Sequence, residues 1–187
     1  MKWPSKFWKK ELNSIDFSVL KTDIHSHLIP SIDDGAQTLD DSLELICLLK
    51  DLGFSKLVTT PHVMSDCYRN NPEIINSGLN DVKTALKKRK INVDIEAAAE
   101  YYIDFEFQKQ IGNQEFLVFG DKYILVELPF IDAPKELNEI IFNLQLNGYN
   151  VVLAHPERYF YNTIKDYHQF SEKGVLLQMN LLSLTEY

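Results

Sequence analysis

The sequence has little cysteine, no long hydrophobic run and no excess of positive charge. Cys47 and Cys67 are the only cysteines among 187 residues, too few for a disulfide-stapled secreted fold, and their spacing does not match a zinc knuckle. No stretch approaches the roughly 20 apolar residues of a membrane span, and the basic N-terminus lacks the apolar run of a signal peptide. These absences predict a cytoplasmic protein without a membrane span.

The formal net charge is -8, which argues against nucleic acid as the main partner because nucleic-acid-binding proteins usually present a basic face. An anionic substrate remains compatible with this charge, because a bound cation can invert the local field. The chain also lacks a glycine-rich nucleotide loop, a nucleophile elbow and a Cys-x5-Arg loop. The last absence argues against a phosphatase that uses a cysteine nucleophile.

Hydrophobic residues make up 45% of the chain, enough for one sizeable core. Short apolar runs alternate with helical patterns, which predicts one α/β domain over residues 21–187 after a lead-in segment over 1–20. The lead-in segment, with its aromatic residues among lysines, is expected to pack on the domain. Strands are predicted at 22–25, 57–60, 93–99, 123–128, 150–154 and 175–179. The runs at 150–154 and 175–179 are typical of buried parallel strands.

Helices are predicted between these strands. Thr38 begins the first, with Asp41 as its capping-box partner, and Gly53 can end it. Pro72 begins the second and Pro134 a third that runs to Gly148, while a weaker helix covers 163–173. The predicted apolar faces are Leu39, Leu43, Ile46 and Leu49 in the first helix, Ile75, Leu79, Val82 and Leu86 in the second, and Leu137, Ile140, Ile141 and Leu144 in the third.

Four of the five histidines lie at the C-terminal end of a predicted strand or just past it; only His168, expected at the surface, does not. The carboxyl ends of parallel strands meet at one edge, where active sites are built. Two glutamates occupy equivalent positions. The histidines and glutamates are His25, His27, His62, His155, Glu100 and Glu127.

His25 and His27 lie two residues apart, so in an extended segment both side chains point to the same side and can ligate one metal ion. The loop Asp33-Asp34-Gly35 follows with two carboxylates. Mixed nitrogen and oxygen ligands suit Mn, Fe or Zn and argue against calcium. Each of these residues alone is more often structural, but several on one edge indicate a metal site because burying such groups uncompensated is costly.

Three further side chains are candidates for substrate contact. Arg158 stands three residues after His155 and can bind a phosphate, with a salt bridge to Glu157 as the alternative. Tyr68 and Arg69 follow His62 in a loop and can frame the substrate, with an ordinary loop role as the alternative.

Five motifs give the chain a resemblance to a known family. The first resembles the opening motif of the bacterial capsule-biosynthesis tyrosine phosphatases of the polymerase-and-histidinol-phosphatase (PHP) superfamily, and the others recur in that family's order. They are Asp23-Ile24-His25-Ser26-His27-Leu28-Ile29-Pro30-Ser31-Ile32-Asp33-Asp34-Gly35, Thr60-Pro61-His62, Ala99-Glu100-Tyr101-Tyr102, Glu127-Leu128-Pro129 and Ala154-His155-Pro156-Glu157-Arg158-Tyr159.

The resemblance implies a distorted (β/α)7 TIM-like barrel with two or three divalent metal ions, manganese being favoured over iron, zinc or magnesium. It implies that His25, His27 and Glu100 hold one metal, that Glu100, Glu127 and His155 hold a second, and that Asp34 and His62 hold a third. It also makes Arg158 a phosphate-contacting catalytic residue beside His155. The implied substrate is phosphotyrosine on a kinase that controls capsule or exopolysaccharide synthesis.

The family's last motif, a strand ending in Asp-x-His, has no counterpart here. The barrel is therefore expected to be incomplete at the C-terminus, and its open edge predicts a homo-oligomer. Two alternatives stay open: a small-molecule phosphatase resembling histidinol phosphatase, and a truncated PHP domain with a binding or regulatory role. For the phosphatase, we expect metal-assisted attack of water on a phosphate monoester.

Overall fold

The structure, a computed structural model, describes residues 16–184. It divides into two compact units, one formed by residues 16–61 and 73–97 and the other by residues 62–72 and 98–184. Most of the predicted lead-in segment, residues 1–15, lies outside the described residues. The elements in chain order are β1 (Thr22–Ser26), α1 (Leu39–Asp51), β2 (Lys56–Thr59), β3 (His62–Val63), α2 (Pro72–Arg89), β4 (Asp94–Ala97), β5 (Glu100–Tyr102), α3 (Phe105–Gln110), β6 (Tyr123–Glu127), α4 (Leu137–Leu146), β7 (Asn150–Ala154), a 3₁₀ turn (Pro156–Arg158), α5 (Ile164–Glu172), β8 (Leu176–Gln178) and a second 3₁₀ turn (Leu181–Leu184).

The first unit contains a three-stranded parallel sheet in the order β1-β2-β4. Helix α1 begins as predicted, because the Thr38 side chain accepts a hydrogen bond from the Asp41 N–H and the Asp41 carboxylate accepts one from the Thr38 N–H. Leu43 and Ile46 on its predicted apolar face are buried. Leu39 was expected on the same face but is exposed, since it occupies the first helical position, where the chain has only just entered the helix.

Helix α2 begins at Pro72, as predicted, and all four residues of its predicted apolar face are buried. At Gly78 the helix approaches the loop after β1: a Cβ atom there would lie 2.3 Å from Ile29 Cγ2. A glycine in a helix interior costs about 1 kcal/mol relative to alanine. Close packing against Ile29 accounts for its presence.

The second unit contains a five-stranded sheet in the order β3-β5-β6-β7-β8, and every strand pair in it is parallel. The predicted α/β class with parallel strands is therefore confirmed. Between residues 16 and 184, each of the two sheets has two edge strands, so neither closes on itself into a barrel.

Two of the predicted strands differ from the observed ones. The run 93–99 was expected to be one strand closed by Glu100, but only Asp94–Ala97 of it forms a strand, β4, which pairs in the first sheet. Glu100 instead begins β5, which pairs in the second. The run 175–179 was expected to be buried. Its core, β8, is instead an edge strand with Leu176 51% exposed, because its other side has no strand partner among the described residues.

The helices of the second unit follow the sequence pattern closely. Helix α4 begins at Leu137 rather than at Pro134, and all four residues of its predicted apolar face are buried. Helix α5 is capped by Thr163 and Asp166 through a capping box. The short helix α3, capped by Asp104, was not predicted. In the described part of the chain, no helix is long and apolar enough to span a membrane.

Candidate metal centre

Four of the predicted ligands come together within the second unit, on four neighbouring strands. His62 begins β3, Glu100 begins β5, Glu127 ends β6, and His155 directly follows β7. The pairing register sets His62 opposite Glu100, and Glu127 opposite Tyr102. Glu127 and His155 therefore lie at strand ends as predicted, whereas His62 and Glu100 are the first residues of strands too short to be seen in the sequence pattern.

The side chains of these four residues, the carboxylate–histidine cluster, are in direct contact. His155 Nε2 lies 2.9 Å from Glu100 Oε1 and 3.4 Å from Glu127 Oε1. His62 Nδ1 lies 3.2 Å from Glu100 Oε2 and 3.5 Å from Glu127 Oε2. Each glutamate thus faces both histidines, and ligand atoms of His62, Glu100 and Glu127 all lie within 4.8 Å of one another.

The cluster is buried, and its members perturb one another. Glu100, Glu127 and His155 are almost completely inaccessible, while the His62 side chain is 15% exposed and is the most accessible of the four. Burial opposes the charged form of His155, but hydrogen bonds to Glu100 and Glu127 outweigh burial and raise the pKa of the imidazole to about 9. Buried carboxylates that must be neutralised by a neighbouring cation suit a divalent metal ion.

The backbone at His155 is unusual. Its φ of 29° and ψ of 62° fall in the left-handed region, and Pro156 follows at once to begin the 3₁₀ turn. A non-glycine residue in such a conformation costs on the order of 1–3 kcal/mol and is typical of functional sites. The turn is fixed by the Arg158 N–H, which donates to the His155 carbonyl oxygen at 2.9 Å.

The two charged residues of this turn have different surroundings. Glu157 Oε1 accepts hydrogen bonds from the Asn180 N–H at 3.0 Å and the Ser183 hydroxyl at 2.8 Å, which ties the turn to the segment after β8. Arg158 is exposed, and the described residues include no ion pair between it and Glu157. The guanidinium is therefore accessible to an anionic ligand.

The loop after β3 places Tyr68 against the cluster. The Tyr68 ring stacks on the His62 ring, with centroids 5.4 Å apart and planes 12° apart. Arg69 is exposed and its Nε donates to the Ser65 carbonyl oxygen at 2.8 Å. Both side chains line a cavity of about 500 Å³ in the second unit, together with Asp104.

The remaining predicted ligands lie in the first unit. His25 is in β1 and His27 directly follows it; their ring centroids are 5.5 Å apart, and their ligand atoms lie within 4.8 Å of each other. His27 also has a ligand atom within 4.8 Å of one from Asp34, which is exposed. The i, i+2 spacing therefore brings the two imidazoles together as predicted.

Two residues in contact with candidate ligands were not among the predicted site residues. The Asp33 carboxylate is fully buried, with Oδ2 2.7 Å from His27 Nδ1, and Oδ1 accepts from the Gly35 N–H at 3.0 Å. A carboxylate in this position orients a ligating imidazole. Tyr159 is buried beside His155, and its hydroxyl accepts from the Leu128 N–H at 3.0 Å. The doublet Asp33-Asp34 signalled the first; Tyr159 carried no signal beyond its motif.

Imidazole and carboxylate ligands together suit Mn, Fe or Zn, as well as Mg through the carboxylates. The carboxylate–histidine cluster can bind divalent ions in a buried, negatively charged environment. The exposed Arg158 lies three residues after His155 in the sequence. His168, the fifth histidine, is exposed on α5 as expected.

Comparison with known proteins identifies a family and several relatives. The family model described as capsular polysaccharide synthesis, CpsB/CapC, matches residues 21–186. The tyrosine-protein phosphatase YwqE of Bacillus subtilis is 34% identical over 137 residues, covering 73% of this chain and 54% of YwqE. The tyrosine-protein phosphatase CpsB of Streptococcus pneumoniae is 25% identical over 161 residues, covering 84% of this chain and 66% of CpsB.

A solved structure is also similar. It comes from crystal structures described as those of YwqE from Bacillus subtilis and CpsB from Streptococcus pneumoniae, metal-dependent tyrosine phosphatases. The match has a TM-score of 0.78 and 31% sequence identity, and it covers 84% of this chain and 65% of the solved one. The chain thus spans about half the length of YwqE and about two thirds of the solved chain.

Proposed function

We infer the function from one premise: this chain belongs to the CpsB/CapC family of capsular polysaccharide synthesis. We propose that it is a metal-dependent phosphatase that hydrolyses phosphate monoesters, with protein phosphotyrosine as its substrate. The observation that carries the proposal is the carboxylate–histidine cluster, in which two buried glutamates each face two histidines. Relatives named as tyrosine-protein phosphatases support the choice of substrate.

The cluster residues would hold divalent ions. His62, Glu100, Glu127 and His155 supply two imidazole nitrogens and two carboxylates, and we propose that His25, His27 and Asp34 of the first unit are metal ligands as well. Manganese is the favoured metal, and two or three ions are proposed. Such ions supply a water of lowered pKa and polarise phosphoryl oxygens.

The other residues act on the substrate directly. Arg158, exposed on the turn that follows His155, would bind the phosphate and balance the negative charge that develops during hydrolysis. Tyr68 and Arg69 line the 500 Å³ cavity and would contact the rest of the substrate. The deep burial of Glu100 and Glu127 would keep bulk water away from the metal ligands.

Four further parts of the proposal rest on the family resemblance and the fold. The substrate would be a tyrosine kinase of polysaccharide export, in the cytoplasm. Residues 21–187 would belong to one domain of the PHP barrel type. The exposed edge of β8 would support a homo-oligomer, which light scattering tests: a monomer at high concentration would contradict that part.

Metal content and activity test the central proposal together. The purified chain is stripped with a chelator and reloaded with Mn²⁺, Fe²⁺, Zn²⁺ or Mg²⁺, and bound metal is measured by mass spectrometry. Hydrolysis is then followed with a phosphotyrosine peptide and with histidinol phosphate. We expect bound metal and metal-dependent hydrolysis of the peptide, whereas preference for histidinol phosphate would favour a small-molecule substrate.

Matched glutamate variants connect activity to the cluster. Glu127→Gln removes a buried candidate ligand, whereas Glu139→Gln removes a charge from the exposed side of α4. We expect Glu127→Gln to lower metal affinity and activity by at least about 10–100-fold and Glu139→Gln to leave both unchanged. A folded chain that binds no metal and hydrolyses neither substrate would refute the enzymatic proposal.

A further inference from the structure

Phe130 is a half-exposed aromatic side chain in contact with the carboxylate–histidine cluster. Its side chain lies three residues after Glu127 and is 51% exposed. Its ring nevertheless stacks on the His155 ring, with centroids 6.2 Å apart and planes 25° apart, and on the Tyr159 ring at the same distance. One part of the phenylalanine is therefore packed against a candidate metal ligand while the rest faces solvent.

The backbone that leads to Phe130 is held by two tyrosines from the segment after His155. The Leu128 N–H donates to the Tyr159 hydroxyl at 3.0 Å, and the Tyr161 hydroxyl donates to the Pro129 carbonyl oxygen at 2.7 Å. The exposed half of the Phe130 ring contributes no stability through burial of apolar surface. The two hydrogen bonds nevertheless hold the backbone of Leu128 and Pro129, and this fixes where Phe130 lies beside His155.

We propose that Phe130 is the residue that selects aryl phosphates, by stacking on the phenyl ring of the phosphotyrosyl group. This inference rests on the proposed phosphatase function and adds a specificity residue to it. Because the Phe130 ring packs on the buried His155 and is itself half exposed, it would lie between a phosphate bound at the cluster and the solvent, where the ester group would be. An aromatic ring there favours a second aromatic ring over an alkyl chain, since offset or edge-to-face pairs are worth more than their buried area alone.

Tyr68 and the buried Tyr159 are also in ring contact with cluster histidines, and Tyr68, the more accessible of these two, serves as a comparison. Its hydroxyl and its partner His62 give it a different chemical setting. The stacking role is assigned to Phe130, whose phenyl side chain carries no polar group and whose ring is half exposed. A test must therefore separate the effects of the two rings.

The experiment compares one peptide sequence carrying either phosphotyrosine or phosphoserine, using the Mn²⁺-loaded chain. The variants are Phe130→Ala, Phe130→Leu, Phe130→Tyr, Tyr68→Ala and Phe105→Ala. Phe105 is the matched control, because it is 68% exposed in the same unit and its ring faces Lys109 Nζ at 4.1 Å. Binding of benzylphosphonate and propylphosphonate, by calorimetry, gives a readout that needs no turnover.

We expect Phe130→Ala and Phe130→Leu to lower kcat/KM for the phosphotyrosine peptide about threefold to tenfold relative to the phosphoserine peptide. The loss should appear mainly in KM, and benzylphosphonate should bind more weakly by the same factor. Phe130→Tyr keeps an aromatic ring, so it should keep the wild-type KM and the wild-type affinity for benzylphosphonate. Metal content, propylphosphonate binding and the Phe105→Ala variant should stay at wild-type values.

Several results would overturn the assignment. Equal losses for both peptides, loss of metal from Phe130→Ala, or a change of selectivity in Tyr68→Ala alone would each show that Phe130 does not select the aryl group. Hydrolysis of neither peptide by the wild-type chain would instead refute the proposed phosphatase function, and the role of Phe130 with it.

Discussion

Replacing Glu100 by glutamine removes one negative charge from the carboxylate–histidine cluster and keeps the shape of the side chain. The carboxylate is fully buried, with Oε1 2.9 Å from His155 Nε2 and Oε2 3.2 Å from His62 Nδ1. In metal-free protein near neutral pH, we expect Glu100→Gln to lower the free energy of unfolding. The reason is that the buried His155 ring loses its nearest counter-charge.

The magnitude follows from the pKa of His155. Burial opposes protonation, but Glu100 and then Glu127 outweigh it and raise the pKa from 6.5 to about 9. At about 1.36 kcal/mol per pH unit, this rise is worth at most roughly 3 kcal/mol of stability. Because the folded-state pKa is raised, that stability is complete below about pH 6.5 and is lost as the pH rises through about 9.

Glu100→Gln should therefore cost about 2 kcal/mol near pH 6 and well under 1 kcal/mol near pH 9.5. Urea unfolding in EDTA, followed by far-UV circular dichroism at several pH values, measures this difference. The control is Glu106→Gln, which removes an exposed ion pair with Lys109 in the same unit and should cost about 0.5 kcal/mol at every pH. A loss that is independent of pH, or no larger than the control, would refute the reasoning.

Three further predictions concern the metal, a glycine and a tyrosine. Mn²⁺ at about 100 times its Kd should raise the free energy of unfolding by about 2.7 kcal/mol; identical urea curves with and without Mn²⁺ would contradict metal binding. Gly35→Ala should cost about 1–3 kcal/mol and weaken Mn²⁺ binding in calorimetry, because the new Cβ would lie 2.3 Å from the His27 Cβ and carbonyl oxygen; an unchanged affinity would show that the loop does not position His27. Tyr159→Phe leaves a buried N–H without its acceptor and should cost about 1–3 kcal/mol in the same unfolding assay while reducing Mn²⁺ affinity. Tyr149→Phe, which loses a longer 3.3 Å hydrogen bond away from the cluster, should retain wild-type Mn²⁺ affinity, and equal losses of affinity in both would contradict a positioning role for Tyr159.

The helices could be predicted well because their ends depend on neighbouring residues. Thr38 and Asp41 form the predicted capping box, and Pro72 begins α2 at the predicted position. The burial of the α2 and α4 faces follows the 3.6-residue period of the sequence. Where local pattern was weak, as in the six-residue helix α3, the prediction failed.

The sheets could be predicted only in class, because strand partners are chosen by distant residues. The predicted strand 93–99 leads directly to Glu100, yet β4 pairs with Lys56–Thr59 while β5, from Glu100 onward, pairs with His62–Val63 and Tyr123–Glu127. No local feature marks the change of sheet. The apolar residues of β8 likewise resemble a buried strand, and only the strand order shows that it lies at an edge.

For the candidate site, the residues could be predicted from the sequence but their contacts could not. Strand-end positions identified the histidines and glutamates, and the structure brings His62, Glu100, Glu127 and His155 together. The roles of Asp33 and Phe130 depend on contacts with His27 and His155 that spacing alone does not contain.

The placement of the cluster on four separate strands has a consequence for the order of events in the cell. Glu100 and His155 are separated by 55 residues, so their contact closes a long loop and depends on non-local strand pairing. A nascent chain that has not yet exposed β7 lacks the fourth ligand altogether. The complete set of four candidate ligands therefore forms only after the chain has been synthesised and folded through residue 155.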